Sequence, residues 1–165
     1  MKLRLSQLTT ISLLAALAVV GRIFFQFLPN IQPVSSIIIL SAFYLGPLAG
    51  VLLAITAAYV SNLALGVGIW TIWQIISWGI IGLIVGFIGM KCWNKPFMVV
   101  LTISLISGYV YGFILSLGTY TYSGTFFAYY IAGLPFDTLH AIGNVIFTIL
   151  LYPFLAKNLP KQALS

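Results

Sequence analysis

The chain has 165 residues, of which 62% are hydrophobic and 5% charged, with seven Lys and Arg against a single acidic residue. Between Arg22 and Lys91, the 68 residues from Ile23 to Met90 contain no Lys, Arg, Asp, Glu or His, and the mean hydropathy of the whole is +1.16. A water-facing surface needs charge to stay dispersed, so this composition excludes a soluble fold and puts the chain in lipid.

At about 20 residues per spanning helix, the length admits roughly six or seven spans and no soluble domain besides. The first element opens with Lys2 and Arg4 and stays apolar through Phe27. Its start resembles a secretion signal, but the stretch is long enough to cross a bilayer and is read as the first helix, 8–28. Pro29 and Pro33 separate it from a short second stretch, 35–45, which is tilted, starts in the preceding loop or does not cross fully. Gly46-Pro47 leads into a third, 48–65, and Gly66-Val67-Gly68 into a fourth, 70–90. A charged turn from Lys91 to Pro96 precedes the fifth, 97–117. Gly118 to Pro135, rich in Tyr, Ser, Thr and Gly, is expected to be a longer loop before the sixth, 136–155. Cys92, the single cysteine, has no partner for a disulfide or a metal site.

Six spans put both termini on one side. Lys2, Arg4, Lys91, Lys95, Lys157 and Lys161 then all fall on one face, as the positive-inside rule requires, whereas five or seven spans would split them. The expected fold is therefore all-α and integral to the membrane. It is one domain, 1–165, of six transmembrane helices with cytoplasmic N- and C-termini.

Under this topology the polar residues collect on the outer side: Arg22, Gln26, Asn30, Gln32, Asn62, Trp70, Trp73, Gln74, Asp137, His140 and Asn144. A polar group is costly inside a bilayer and is retained there for function. Arg22 is either a snorkelling interfacial arginine or an inward group that binds a ligand or pairs with Asp137, and Gln26 shares its helix face. Asp137, the only acidic residue, suits a helix N-terminus just after Pro135 and could cap it. Asp137, His140 and Asn144 also recur at i, i+3 and i+7, on one stripe that must face a cavity or other polar groups. On the fourth element Trp70, Trp73, Gln74 and Ser77 cluster on one face, with Trp78 at its edge. An interfacial belt accounts for Trp70, while an aromatic wall beside an amide suits a flat heterocycle. Small residues at four-residue spacing (Ser104, Gly108, Gly112 and Ser116; Gly82 and Gly86; Gly46 and Gly50; Ser12 and Ala16) mark close helix approaches. No phosphate-binding loop, metal cluster or nucleophile elbow is present, so no cofactor and no nucleic-acid partner is expected.

Gly21-Arg22, Pro29-Asn30-Ile31-Gln32-Pro33, Gly46-Pro47 with Gly50, Ser61-Asn62, Gly66, Gly68, Trp70-Thr71, Trp73-Gln74 and Trp78-Gly79 together resemble the substrate-binding (S) components of energy-coupling factor vitamin transporters. The resemblance spans nearly the whole chain. It implies a subunit of the bacterial cytoplasmic membrane that captures a vitamin or precursor from outside. It also implies docking on a transmembrane coupling subunit that carries two cytoplasmic ATPases, so that the chain is not itself an enzyme. The coupling subunit would meet the small face of the first helix, here Ser12 and Ala16 with Ala15 and Ala18 adjacent. The polar set suits a hydroxymethylpyrimidine-like or pyridoxine-like compound, with cobalamin as the alternative. A small membrane enzyme using Asp137 and His140, or a self-sufficient carrier, are readings of a different class.

Overall fold

The computed structural model describes residues 5–92 and 96–159, so Lys2, Arg4, Lys95 and Lys161 lie outside the described residues. Among those described there are six helices and no strand: α1 Leu5–Phe24, α2 Val34–Leu45, α3 Pro47–Leu65, α4 Ile69–Lys91, α5 Pro96–Ser123 and α6 Phe126–Asn158. Five of them, all but α2, are long and apolar enough to cross a membrane.

The outward faces are apolar. Leu13, Leu17 and Val20 of α1 and Leu150 and Phe154 of α6 are exposed, while Arg22, Asn62, Asp137, His140 and Asn144 are buried. That is the inverse of a water-soluble protein and the arrangement expected where the solvent is hydrocarbon.

α2 is the structural centre. All 12 of its residues are buried, and it packs against each of the other five helices. At 1.5 Å per residue it is about 18 Å long, short of the roughly 30 Å hydrocarbon layer. A helix enclosed on every side has no face for water, so Val34 to Leu45 is apolar except for three small serines, Ser35, Ser36 and Ser41. Helix pairs meet at small residues. Cβ atoms added at Gly50 and Gly82 would each come within 3.0 Å of the other helix's backbone, so α3 and α4 touch main chain to main chain there. Gly108 likewise lies on Ala141, joining α5 to α6.

The expected loop between the fifth and sixth elements is not a loop. α5 runs on to Ser123 and α6 begins at Phe126, so the two form a hairpin closed by Gly124 at φ 72°, a left-handed conformation that glycine adopts without steric cost. At 28 and 33 residues they are about 42 and 50 Å long and outreach the hydrocarbon layer. Tyr, Ser and Thr suit that overhang, where Phe113, Phe126 and Tyr130 pack ring against ring. Asp137 therefore sits deep inside α6 rather than at its N-terminus, and Pro135 lies within the helix. Capping does not explain the carboxylate.

Candidate functional site

The ends of α1, α3 and α5 and the starts of α2, α4 and α6 converge at one end of the bundle, opposite the end that carries Lys91 and Lys157. Most of the polar residues gather there. α1 delivers Arg22 from its last turn. Its Nη1 donates to Ser61 Oγ on α3 at 2.6 Å, and the guanidinium lies 5.1 Å from the Trp78 ring centroid. Ser61 passes its own proton to the Ala57 carbonyl at 2.6 Å. Arg22 thus turns inward to a hydroxyl and an aromatic face, not out to lipid headgroups and not to Asp137.

Asn62 follows Ser61 and donates from Nδ2 to Thr71 Oγ1 at 3.0 Å and to Gln74 Oε1 at 2.7 Å, locking α3 to α4. With Oε1 taken by Asn62, the Gln74 amide also hydrogen-bonds the Tyr111 hydroxyl, tying α4 to α5. Between α1 and α2 the chain turns at Asn30, which holds a left-handed φ of 56° that an Asn tolerates better than most residues. Its Nδ2 donates to the Phe136 carbonyl at 3.3 Å, tying this turn to α6.

A relay crosses the centre. Trp78 Nε1 donates to Ser35 Oγ at 2.9 Å, and Ser35 Oγ lies 2.7 Å from His140 Nε2. The indole nitrogen can only donate, and His140 Nε2 is the one acceptor within reach of the Ser35 proton among the described residues. The other ring nitrogen of His140, Nδ1, is buried without a hydrogen-bond partner among the described residues. The Tyr111 ring closes the group, 4.9 Å from Trp78 and 4.7 Å from His140, centroid to centroid.

Two adjoining cavities result. The inner one, about 40 Å³, is lined by Arg22, Gln32, Ser35, Trp78 and His140 together with Asn30, Gln74 and Tyr111. The outer one, about 220 Å³, shares Asn30, Gln74 and Tyr111 and adds Gly112, Ser116, Phe136 and Asp137. The Asp137 carboxylate lies directly on Gly112, where a Cβ would collide with it, and its Oδ2 has no hydrogen-bond partner among the described residues.

A family model for the substrate-specific component of ECF transporters matches residues 6–165. The chain belongs to this family. No curated protein and no solved structure matches it. As an ECF substrate-specific component it is a multi-pass membrane subunit that binds substrate for import, not an enzyme.

Within the substrate-specific component, Arg22, Asn30, Gln32, Gln74, Asp137 and His140 line the two cavities, with Asn62 holding Gln74 from behind. Four other candidates stand apart. Gln26 is exposed in the turn after α1. Trp70 is 51% exposed and Trp73 lies over Gly118 of α5, and neither ring is in the lining of these two cavities. Asn144 lies deeper, donating from Nδ2 to the Ser104 carbonyl at 3.3 Å, while its backbone carbonyl accepts from Ser36 Oγ at 2.9 Å. The aromatic wall is instead Trp78 with Tyr111. Trp78 is legible in the sequence as the i+4 neighbour of Gln74. Tyr111 gives no comparable signal, because it sits beside Gly112 in a ladder whose spacing speaks of helix contacts.

On α1, Ser12 and Ala16 face outward, whereas Ala15 and Ala18 are buried against the chain's own core. A groove of about 330 Å³ runs along this face, lined by Ser12, Ala16 and Val20 of α1 and Thr56 and Val60 of α3.

Proposed function

We propose that this substrate-specific component captures a small, flat, mostly neutral heterocycle of the hydroxymethylpyrimidine or pyridoxine kind. The observation that carries the reading is the buried Trp78–Tyr111 pair with Arg22, Gln74 and His140 around it. Aromatic faces stack a flat ring, and a few convergent polar groups fix its orientation. Size argues the same way. The cavities of about 40 and 220 Å³ fall below the roughly 300–1,000 Å³ of pockets that enclose drug-sized ligands, and far below what a corrinoid needs.

The chain crosses the bacterial cytoplasmic membrane six times with both termini inside, the short, enclosed α2 completing its crossing with the turn that precedes it. The site end faces outward, and Lys91 and Lys157 face the cytoplasm. Accumulation needs energy that a capture subunit does not supply. A coupling subunit docks along the groove beside Ser12 and Ala16, and two cytoplasmic ATPases drive the cycle.

Mass spectrometry of the ligand released from protein purified in detergent, followed by titration of intrinsic Trp fluorescence, tests the reading. Hydroxymethylpyrimidine or pyridoxine should give saturable quenching and cobalamin none. The reverse order would overturn it.

A further inference from the structure

The two ionisable groups of the site stand on opposite sides of a shared polar waist. Arg22 lines only the inner cavity and Asp137 only the outer, while Asn30, Gln74 and Tyr111 line both. Each is more than nine-tenths buried, and each keeps an atom with no hydrogen-bond partner among the described residues: Nε of Arg22 and Oδ2 of Asp137. His140, in the inner cavity, adds Nδ1. In the tautomer whose Nε2 accepts from Ser35, this nitrogen is a donor. The inner end thus presents the unpaired Arg22 donor with His140 Nδ1 beside it, and the outer end an unpaired carboxylate oxygen.

A buried polar atom without a partner is costly, and an unpaired charge more so. Arg22 and Asp137 could cancel each other's cost by pairing, yet Arg22 is committed to Ser61 and the Trp78 face. What satisfies both ends at once is a molecule that spans the waist.

We propose that the substrate is bipolar: a ring whose acceptor atoms, a ring nitrogen or an oxygen, point inward to Arg22 and His140, and whose opposite edge carries an amine that donates to Asp137. This rests on the small-ring reading above and narrows it to amine-bearing heterocycles. The ring lies against Trp78 and Tyr111, with Gln74 and Asn30 at its edge. Gly112 is part of the device, because its missing side chain is what lets the carboxylate sit at the outer wall.

Matched probes test this in the purified full chain by Trp-fluorescence titration. One pair is 4-amino-5-hydroxymethyl-2-methylpyrimidine against the same compound without its amino group. The other is pyridoxamine against 4-deoxypyridoxine, which has a methyl where the aminomethyl stands. In the wild type the amine-bearing member of at least one pair should bind tenfold tighter or better. Asp137→Ala should erase that preference, and Arg22→Met should weaken both members alike. Equal affinity within both pairs, or a preference that survives Asp137→Ala, would overturn the inference while leaving the small-ring reading in place. The wild-type comparison stands even if a variant fails to fold. Binding by none of the four compounds would overturn the small-ring reading and this inference with it.

Discussion

Trp78 does three things with one side chain: its face takes the Arg22 guanidinium, its ring tilts onto Tyr111, and its Nε1 donates to Ser35. Trp78→Phe keeps the aromatic body and deletes only the donor. Trp78 and Ser35 are already paired in the unliganded chain, so losing this buried hydrogen bond costs folding stability, about 1 kcal/mol, and should appear as a lower thermal midpoint in detergent. Trp70→Phe should change affinity hardly at all, since that ring is half exposed and outside both cavities. Gly112→Ala is the complementary probe. Its methyl would occupy the place of the Asp137 carboxylate, so ligand affinity should fall further than stability does. Wild-type affinity in the Gly112→Ala protein would show that the carboxylate's position is immaterial.

At the scale of elements, α3 and α4 approach until their backbones touch at Gly50 and Gly82. Gly82→Ala forces a methyl into a space already held by the Gly50 carbonyl group, and overpacking of this kind costs about 1–3 kcal/mol. A lower thermal midpoint in detergent is expected. An unchanged midpoint would mean the two helices separate freely. This contact also holds the site together, because Asn62 on α3 clamps Thr71 and Gln74 on α4 about three turns away. The α5–α6 hairpin is tied along its length by Gly108 on Ala141, Gly112 on Asp137 and the Ser104–Thr148 hydroxyl pair at 2.7 Å. Those ties make one rigid wall of the cavity out of two helices.

A cysteine replacing Ser123, at the hairpin tip, should react with an impermeant label from outside the cell. The native Cys92, exposed beside Lys91, should react only after the cytoplasm is opened. Labelling of both from the same side would sink the six-span arrangement. Ala16→Trp places a bulky ring on the outward face of α1, where the groove with Thr56 and Val60 runs. Uptake in cells should be abolished while equilibrium binding in detergent is retained. The site lies at the end of α1 marked by Arg22, more than a turn beyond Ala16.

Composition alone determined that the chain dissolves in lipid, because 68 residues without a charge or a histidine have no other stable solvent. Helix existence and most boundaries followed from Pro and Gly punctuation, since those residues act locally on the backbone. The polar stripe of Asp137 and His140 was legible for the same reason: helical periodicity puts i and i+3 on one face whatever surrounds them. The hairpin of α5 and α6 was not, as Tyr, Ser and Thr serve equally in a loop or in a helix that has left the hydrocarbon. Nor was the identity of the aromatic wall. A tryptophan's place in the sequence fixes its helix face, but only the neighbouring helix decides whether that face meets a cavity, as at Trp78, or another backbone, as where Trp73 lies on Gly118.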